Sequence, residues 1–401
     1  MNFVPTSLDI NRLREETPAL KADPSLIHFN NAGAALMPET VAEATREYLD
    51  SEILRGGYET FDKYESKLEM FYEHAAQLIG ADSREIAFIE NATRAWDMAF
   101  YSLPFTEGDN LVTSEAEYAS NYIAYLQTQK RMNIEIRVAP NDASGSVDPE
   151  RLKTVVDTNT KLITITHIPT SGGQVNPAAE VGKFARENDI LFLLDACQSV
   201  GQMAIDVEEL GCDFLSATGR KYLRGPRGTG FLYVNKRWLG RIEPVFLDLH
   251  AATWTEKDNY RVRDDAKAFE NWEQNFCGKL GLSRAIEYAN NLGTREIERR
   301  IFELGHYFRE ELNKVPGLTV TDSGAIKCGI VTIKSDLLPA KKIADSLKRE
   351  NINLSTSSVL GTRLDMEARK LPELVRMSVH YYNTESEVDR CINFLKEMHR
   401  R

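Results

Sequence analysis

The 401 residues include only five cysteines, Cys197, Cys212, Cys277, Cys328 and Cys391, an odd and widely spaced set. No Cys-x-x-Cys occurs, which excludes a zinc ribbon and a thioredoxin-type site and leaves reduced, mostly buried thiols. Histidine is scarce as well, seven in all, and no His-Glu-x-x-His pattern is present, so no metal centre is expected. No run approaches the ~20 apolar residues that a membrane span needs. Positive charge is in deficit: 49 Lys plus Arg stand against 60 Asp plus Glu, a net charge of −11. That balance argues against a nucleic-acid partner. The segment from Met1 to Asp9 shows no basic stretch followed by an apolar run, so no secretory signal is read there and a cytoplasmic location is expected. Internal repeats, low-complexity tracts and Pro/Ser linkers are also missing. What is present is 42% hydrophobic and 27% charged residues, the composition of a globular chain with a large core.

Strand-like and helix-like segments alternate through the first two-thirds. Glu85 to Ile89 reads as a short buried strand and Asn110 to Thr113 as a weaker one, while Lys161 to Thr166 and Ile190 to Leu194 are short, nearly continuous apolar runs that fit strands covered on both faces. Helical patterns run from Pro38 to Leu54 and from Pro177 to Asn188. Alternation of this kind predicts an α/β fold with a mainly parallel sheet flanked by helices. The last third reads differently. Leu280 to Leu312 is helical in pattern, Leu318 to Val320, Gly329 to Ile333 and Val375 to Val379 read as strands, and Pro339 to Asn351 and Glu385 to Arg400 as helices. This predicts a smaller α+β domain, joined through a long helix. We expect residues 22–285 to form the large domain, with 1–21 and 286–401 in the small one.

The chemistry concentrates in a few segments. Leu193-Leu194-Asp195-Ala196-Cys197-Gln198-Ser199 places a carboxylate directly after a buried strand, at the edge where open α/β sheets bind ligands. An aspartate there also serves commonly as a helix cap. Further along, Ser216-Ala217-Thr218-Gly219-Arg220-Lys221 follows another β-like run and precedes the glycine-rich stretch Gly225 to Gly230. Ile89-Glu90-Asn91-Ala92-Thr93-Arg94 leaves a strand and opens a helix, whose backbone N–H groups suit an anion or simply a cap.

The combination of Asp195, Gln198, Thr218, Arg220 and Lys221 resembles the class V aminotransferase family, within its branch of cysteine-desulfurase-like and isopenicillin-N-epimerase-like proteins. These are pyridoxal-5′-phosphate (PLP) enzymes of fold type I, and the resemblance runs from about His28 to the C-terminal helix. It implies that Lys221 holds the cofactor covalently but exchangeably and then moves protons. Asp195 keeps the pyridine nitrogen protonated, and Gln198 bonds the ring hydroxyl oxygen. Thr93 and Arg94 receive the phosphate through backbone donors, with Thr218 and Arg220 beside them. Arg220 stands where the family has His and adds a permanent, fork-shaped cation. Tyr118, in Glu117-Tyr118-Ala119-Ser120-Asn121, takes the place of the aromatic or His stacked on the ring, and it is a poorer proton shuttle than His. Thr170 aligns with a polar residue near the ring hydroxyl. Arg376 is the expected ligand of the substrate α-carboxylate, and Asn31 belongs to the N-terminal substrate loop. By the same resemblance Arg55 and Tyr58 reach a neighbour's site in a homodimer.

Two departures narrow the function. Desulfurases carry a catalytic cysteine on a loop shortly before the small-domain arginine; here that loop, Leu354 to Leu364, holds Ser355, Ser357 and Ser358 but no Cys. Relatives often place Thr near Phe269 to Phe276 to reach the partner's phosphate, and none is present. The expected activity is that of a PLP enzyme acting at Cα of an amino acid or conjugate, best read as a C–S (β-elimination) lyase without a persulfide cysteine. A class V aminotransferase and an epimerase are the alternatives. A non-catalytic PLP-binding protein is a minor one, because Lys221 and Asp195 are both retained.

Overall fold

The computed structural model describes residues 7–400, so the expected 1–21 segment is seen only from residue 7, and the segment read for a signal lies partly outside the described residues. The centre is a seven-stranded sheet in the order Ile86–Ile89, Gly230–Val234, Phe214–Thr218, Leu191–Asp195, Thr160–Thr166, Asn110–Ser114, Glu135–Ala139. Only Gly230–Val234 runs antiparallel to its neighbours. Strands such as Phe214–Thr218 and Asn110–Ser114 are buried at every position, as expected where helices cover both faces. A second, four-stranded antiparallel sheet follows in the order Leu318–Val320, Ile330–Ser335, Leu374–Ser378, Ser355–Ser357. The short Ile27–His28 strand pairs in parallel with Ile352–Asn353 and so ties an early segment to this C-terminal part.

The expected long joining helix is instead two helices, Phe276–Leu292 and Thr294–Leu312. The break is Gly293, at φ 86°, a left-handed conformation that glycine adopts without Cβ strain. Redirecting the chain there lets the first helix pack on Glu39–Arg55 and Gly57–Ile79, and the second on Glu385–Arg400.

The fold brings the ends of several strands to one edge. Ile89, Ser114, Thr166, Asp195 and Thr218 each end a strand, and the loops that follow carry Asn91 to Thr93, Tyr118, Thr170, Gln198 and Lys221. All converge on one crevice, as the carboxyl-end rule for open sheets requires.

Candidate active site

The crevice is a pocket of about 230 Å³ lined by Thr93, Tyr118, Thr170, Asp195, Gln198, Arg220 and Lys221 from the expected set. Asn91, Ala92, Asn121, Thr166, Ile168 and Cys197 complete its wall. Lys221 is nearly buried, and its Nζ donates to Cys197 Sγ at 3.2 Å. Asp195 Oδ1 accepts from the Cys197 backbone N–H and Oδ2 from Asn121 Nδ2, both at 2.9 Å. Burial pushes the Asp195 carboxyl above the usual carboxylate range, against the two hydrogen bonds and the charge of Lys221. Burial likewise raises the Cys197 thiol.

At one end of the pocket the ten-residue helix Ala92–Tyr101 begins. Asn91 caps the Arg94 N–H at 3.0 Å. Ala92 and Thr93, in its first turn, line the pocket beside the Arg220 guanidinium. That is an anion cradle built from a helix start and a fixed cation. Tyr118 also lines the pocket and is partly exposed. Gln198 Nε2 donates to Ala32 O at 3.2 Å and Thr170 Oγ1 at 3.4 Å, while its Oε1 is buried without a partner.

Arg376 sits just behind the lining. Its Nη1 donates to Thr170 Oγ1 at 2.5 Å and Thr170 O at 3.3 Å, and its Nε is buried and unpaired. Burial lowers the proton affinity of this guanidinium, offset by Tyr222 and Tyr118.

Besides Arg376, three expected residues do not line the pocket. Asn31 is fully buried; its Nδ2 donates to His28 O at 3.0 Å and Ser378 O at 2.7 Å, and its Oδ1 accepts from Tyr382. With donors and acceptor engaged, it ties the N-terminal segment to the Leu374–Ser378 strand and has nothing left for a substrate. Arg94 turns outward to Glu90 at 3.6 Å and Asp97 at 3.9 Å, and its backbone N–H is taken by the Asn91 cap. Thr218 is buried below the lining; it donates to Thr229 O at 3.4 Å and accepts from Arg220 Nη1 at 3.2 Å, so it orients Arg220. Sequence reasoning missed Asn121 and Cys197 as wall residues. Asn121 lies in the first turn of the Ala119–Met132 helix, four positions after Glu117, and Cys197 lies between Asp195 and Gln198; closeness in sequence to expected residues was the available signal.

The donor set fits pyridoxal phosphate part by part: a cationic helix start for a phosphate, a buried carboxylate for a ring nitrogen, a primary amine for an aldehyde, and an aromatic wall for a ring face. Fold and site together define a pyridoxal-phosphate enzyme of fold type I. The chain belongs to the aminotransferase class-V family, whose sequence model matches residues 27–391. Membership carries the expected cofactor and an enzyme's role. A probable cysteine desulfurase of Methanothermobacter thermautotrophicus is 29% identical over 96% of this chain and 97% of its own. In structure the chain resembles the cysteine desulfurase of Thermococcus onnurineus, with a TM-score of 0.90 at 24% identity over 99% of both chains. It also resembles the cystine C–S lyase C-DES, with a TM-score of 0.85 at 23% identity over 95% of this chain and 99% of that one. Among the described residues no cluster could hold a metal ion, and no helix is long and apolar enough to cross a membrane.

Proposed function

We propose that this enzyme is a C–S lyase that eliminates a sulfur leaving group from Cβ of a cysteine-like amino acid or conjugate, without passing sulfur to a loop cysteine. The observation that carries the reading is the Leu354–Leu364 segment, which is not the expected loop throughout but the Ser355–Ser357 strand, the turn after it and the start of a helix at Arg363. It stands against the site, with the Gly361 carbonyl accepting from the N–H of Ala119, next to Tyr118, at 3.0 Å. It offers serines where sulfur transfer needs a thiolate. Cys328 does not substitute: it is fully buried, and burial pushes its thiol up to about 12.

The cofactor supplies a sink for electrons released at Cα. Lys221 Nζ, in the pocket wall, would hold it and would serve as the base for the Cα proton. Asp195 holds the proton on the pyridine nitrogen. Ala92, Thr93 and Arg220 would hold the phosphate, and Gln198 and Thr170 would hold the ring hydroxyl. Arg376 grips the substrate carboxylate with the edge that Thr170 leaves free. A homodimer completes the reading: Ile53, Leu54 and Tyr58, where Glu39–Arg55 meets Gly57–Ile79, are strongly exposed, an apolar ridge suited to a second copy.

The test supplies L-cysteine or a cysteine S-conjugate with a thiol reductant and measures pyruvate, ammonia, alanine and sulfide. Pyruvate with ammonia is expected. Alanine at enzyme-like rates, retained in Cys328→Ala, overturns the reading; its loss in Cys197→Ala then names the acceptor. Amino transfer to a keto acid moves the assignment to an aminotransferase, and Cα deuterium exchange without elimination moves it to an epimerase.

A further inference from the structure

Beneath Asp195 lies a second buried carboxylate that no role above uses. Glu117 is 3% exposed and lies in the loop between the Asn110–Ser114 strand and the Ala119–Met132 helix, one residue before the N-cap Tyr118. Five donors converge on it. Oε1 accepts from the Tyr118 N–H at 2.8 Å, Asn121 Nδ2 at 3.0 Å and Thr166 Oγ1. Oε2 accepts from Thr113 Oγ1 at 2.8 Å and Tyr125 OH at 3.2 Å. The same Asn121 Nδ2 donates to Asp195 Oδ2 at 2.9 Å. One amide nitrogen therefore bridges two carboxylates, whose oxygens are at most about 6 Å apart.

An acceptor with five donors and no cation on it is costly to bury unless its charge serves something. The titratable groups around the pair are few. Tyr125 faces Glu117 from the Ala119–Met132 helix, Asp195 acts on it across Asn121, and Lys221 and Cys197 face Asp195. The strands Asn110–Ser114 and Thr160–Thr166 present only hydroxyls, those of Thr113, Thr164 and Thr166.

We propose that Glu117 is a positioning residue of the active site: it fixes Tyr118 by its backbone and Asp195 through Asn121, and its negative charge strengthens the hold of Asp195 on a proton. A plain helix-cap role would explain the bond to the Tyr118 N–H. It would not explain the shared amide, nor why Thr113, Thr166 and Tyr125 all turn their hydroxyls to one carboxylate. The inference rests on the reading of Asp195 as the ring-nitrogen partner, but not on which reaction the enzyme performs.

Glu117→Gln separates charge from shape. An amide oxygen in the Oε1 place keeps the Tyr118, Asn121 and Thr166 bonds. An amide nitrogen in the Oε2 place donates to Thr113 and Tyr125, whose hydroxyls can accept. The measurement is the protonation midpoint of Asp195 in the cofactor-free protein, by isotope-edited infrared difference spectroscopy against Asp195→Asn. Loss of one charge within about 6 Å should lower the proton affinity of Asp195 at least about tenfold. Asn121→Ala removes a donor to the ionised form and should move the midpoint the opposite way. The dissociation constant for pyridoxal phosphate, read by fluorescence, should rise in Glu117→Gln. A folded Glu117→Gln protein with an unmoved Asp195 midpoint overturns the proposal and leaves Glu117 a helix cap. If that variant fails to fold, an unmoved midpoint in Asn121→Ala overturns it instead. Because the cofactor-free protein needs no substrate, a wrong reaction assignment and a wrong role for Glu117 give different results.

Discussion

At the scale of single residues, the site works by leaving chosen valences open. Arg376 spends one nitrogen on Thr170 and keeps Nε unpaired in a buried setting. A planar fork with one free edge is what a carboxylate fits, whereas an ammonium offers a point charge. Arg376→Ala should therefore raise KM for an amino-acid substrate about tenfold to hundredfold, the worth of a charged hydrogen bond of roughly 1.5–3 kcal/mol. Arg376→Lys should recover only part. Steady-state kinetics across the two variants checks this, and full recovery by lysine would show that charge alone binds the substrate.

At the scale of elements, the strands set where the site can be, and close packing of helices on them leaves little freedom. The Ala178–Glu187 helix lies so close to its neighbours that a Cβ on Gly182 would stand 1.9 Å from Leu210 O and 3.0 Å from Phe192 Cδ1. Helix propensity favours alanine over glycine by about 1 kcal/mol, but a backbone oxygen cannot move aside as a side chain can. Gly182→Ala should therefore lower unfolding free energy by at least ~2 kcal/mol, measured as a fall in the denaturant midpoint. Gly57, at the start of Gly57–Ile79, has nothing within 4 Å of such a Cβ. Gly57→Ala should be neutral or stabilising by up to ~1 kcal/mol. If the two variants behave alike, contact does not decide the sign.

At the scale of the whole molecule, the pocket joins parts far apart in the chain, so filling it should stabilise the fold as a unit. In the proposed reading the cofactor would bind the folded state through pocket residues from Ala92 to Lys221, and Arg376 reaches Thr170 of the same pocket from the C-terminal part. Mass action then adds ~2.7 kcal/mol at a hundredfold excess over Kd. Thermal unfolding of the cofactor-free protein should shift upward with added pyridoxal phosphate, and less so in Lys221→Ala, which loses the covalent hold. An unfolding temperature indifferent to the cofactor would remove the binding role assigned to the pocket.

What the sequence determined by itself was local: the alternation of strand and helix, the carboxylate at a strand end, and a lysine next to a glycine-rich turn. Those signals survive because the 2-residue and 3.6-residue periods and turn chemistry are written over a few neighbouring positions. Asp195 and Lys221 were legible for that reason, Gln198 and Arg220 through the family resemblance, and all four line the pocket. The rest depended on strand order and register, which no short pattern carries. Asn121 meets Asp195 across 74 positions, and Arg376 meets Thr170 across 206. Asn31 and Arg94 resembled site residues in sequence, yet Asn31 bonds backbone carbonyls and Tyr382, and Arg94 lies near Glu90 and Asp97 with its backbone N–H bonded to Asn91. Only the tertiary structure decided which polar groups are satisfied within the protein and which are left for a ligand, because hydrogen-bond satisfaction belongs to three-dimensional neighbours and not to neighbours in the chain.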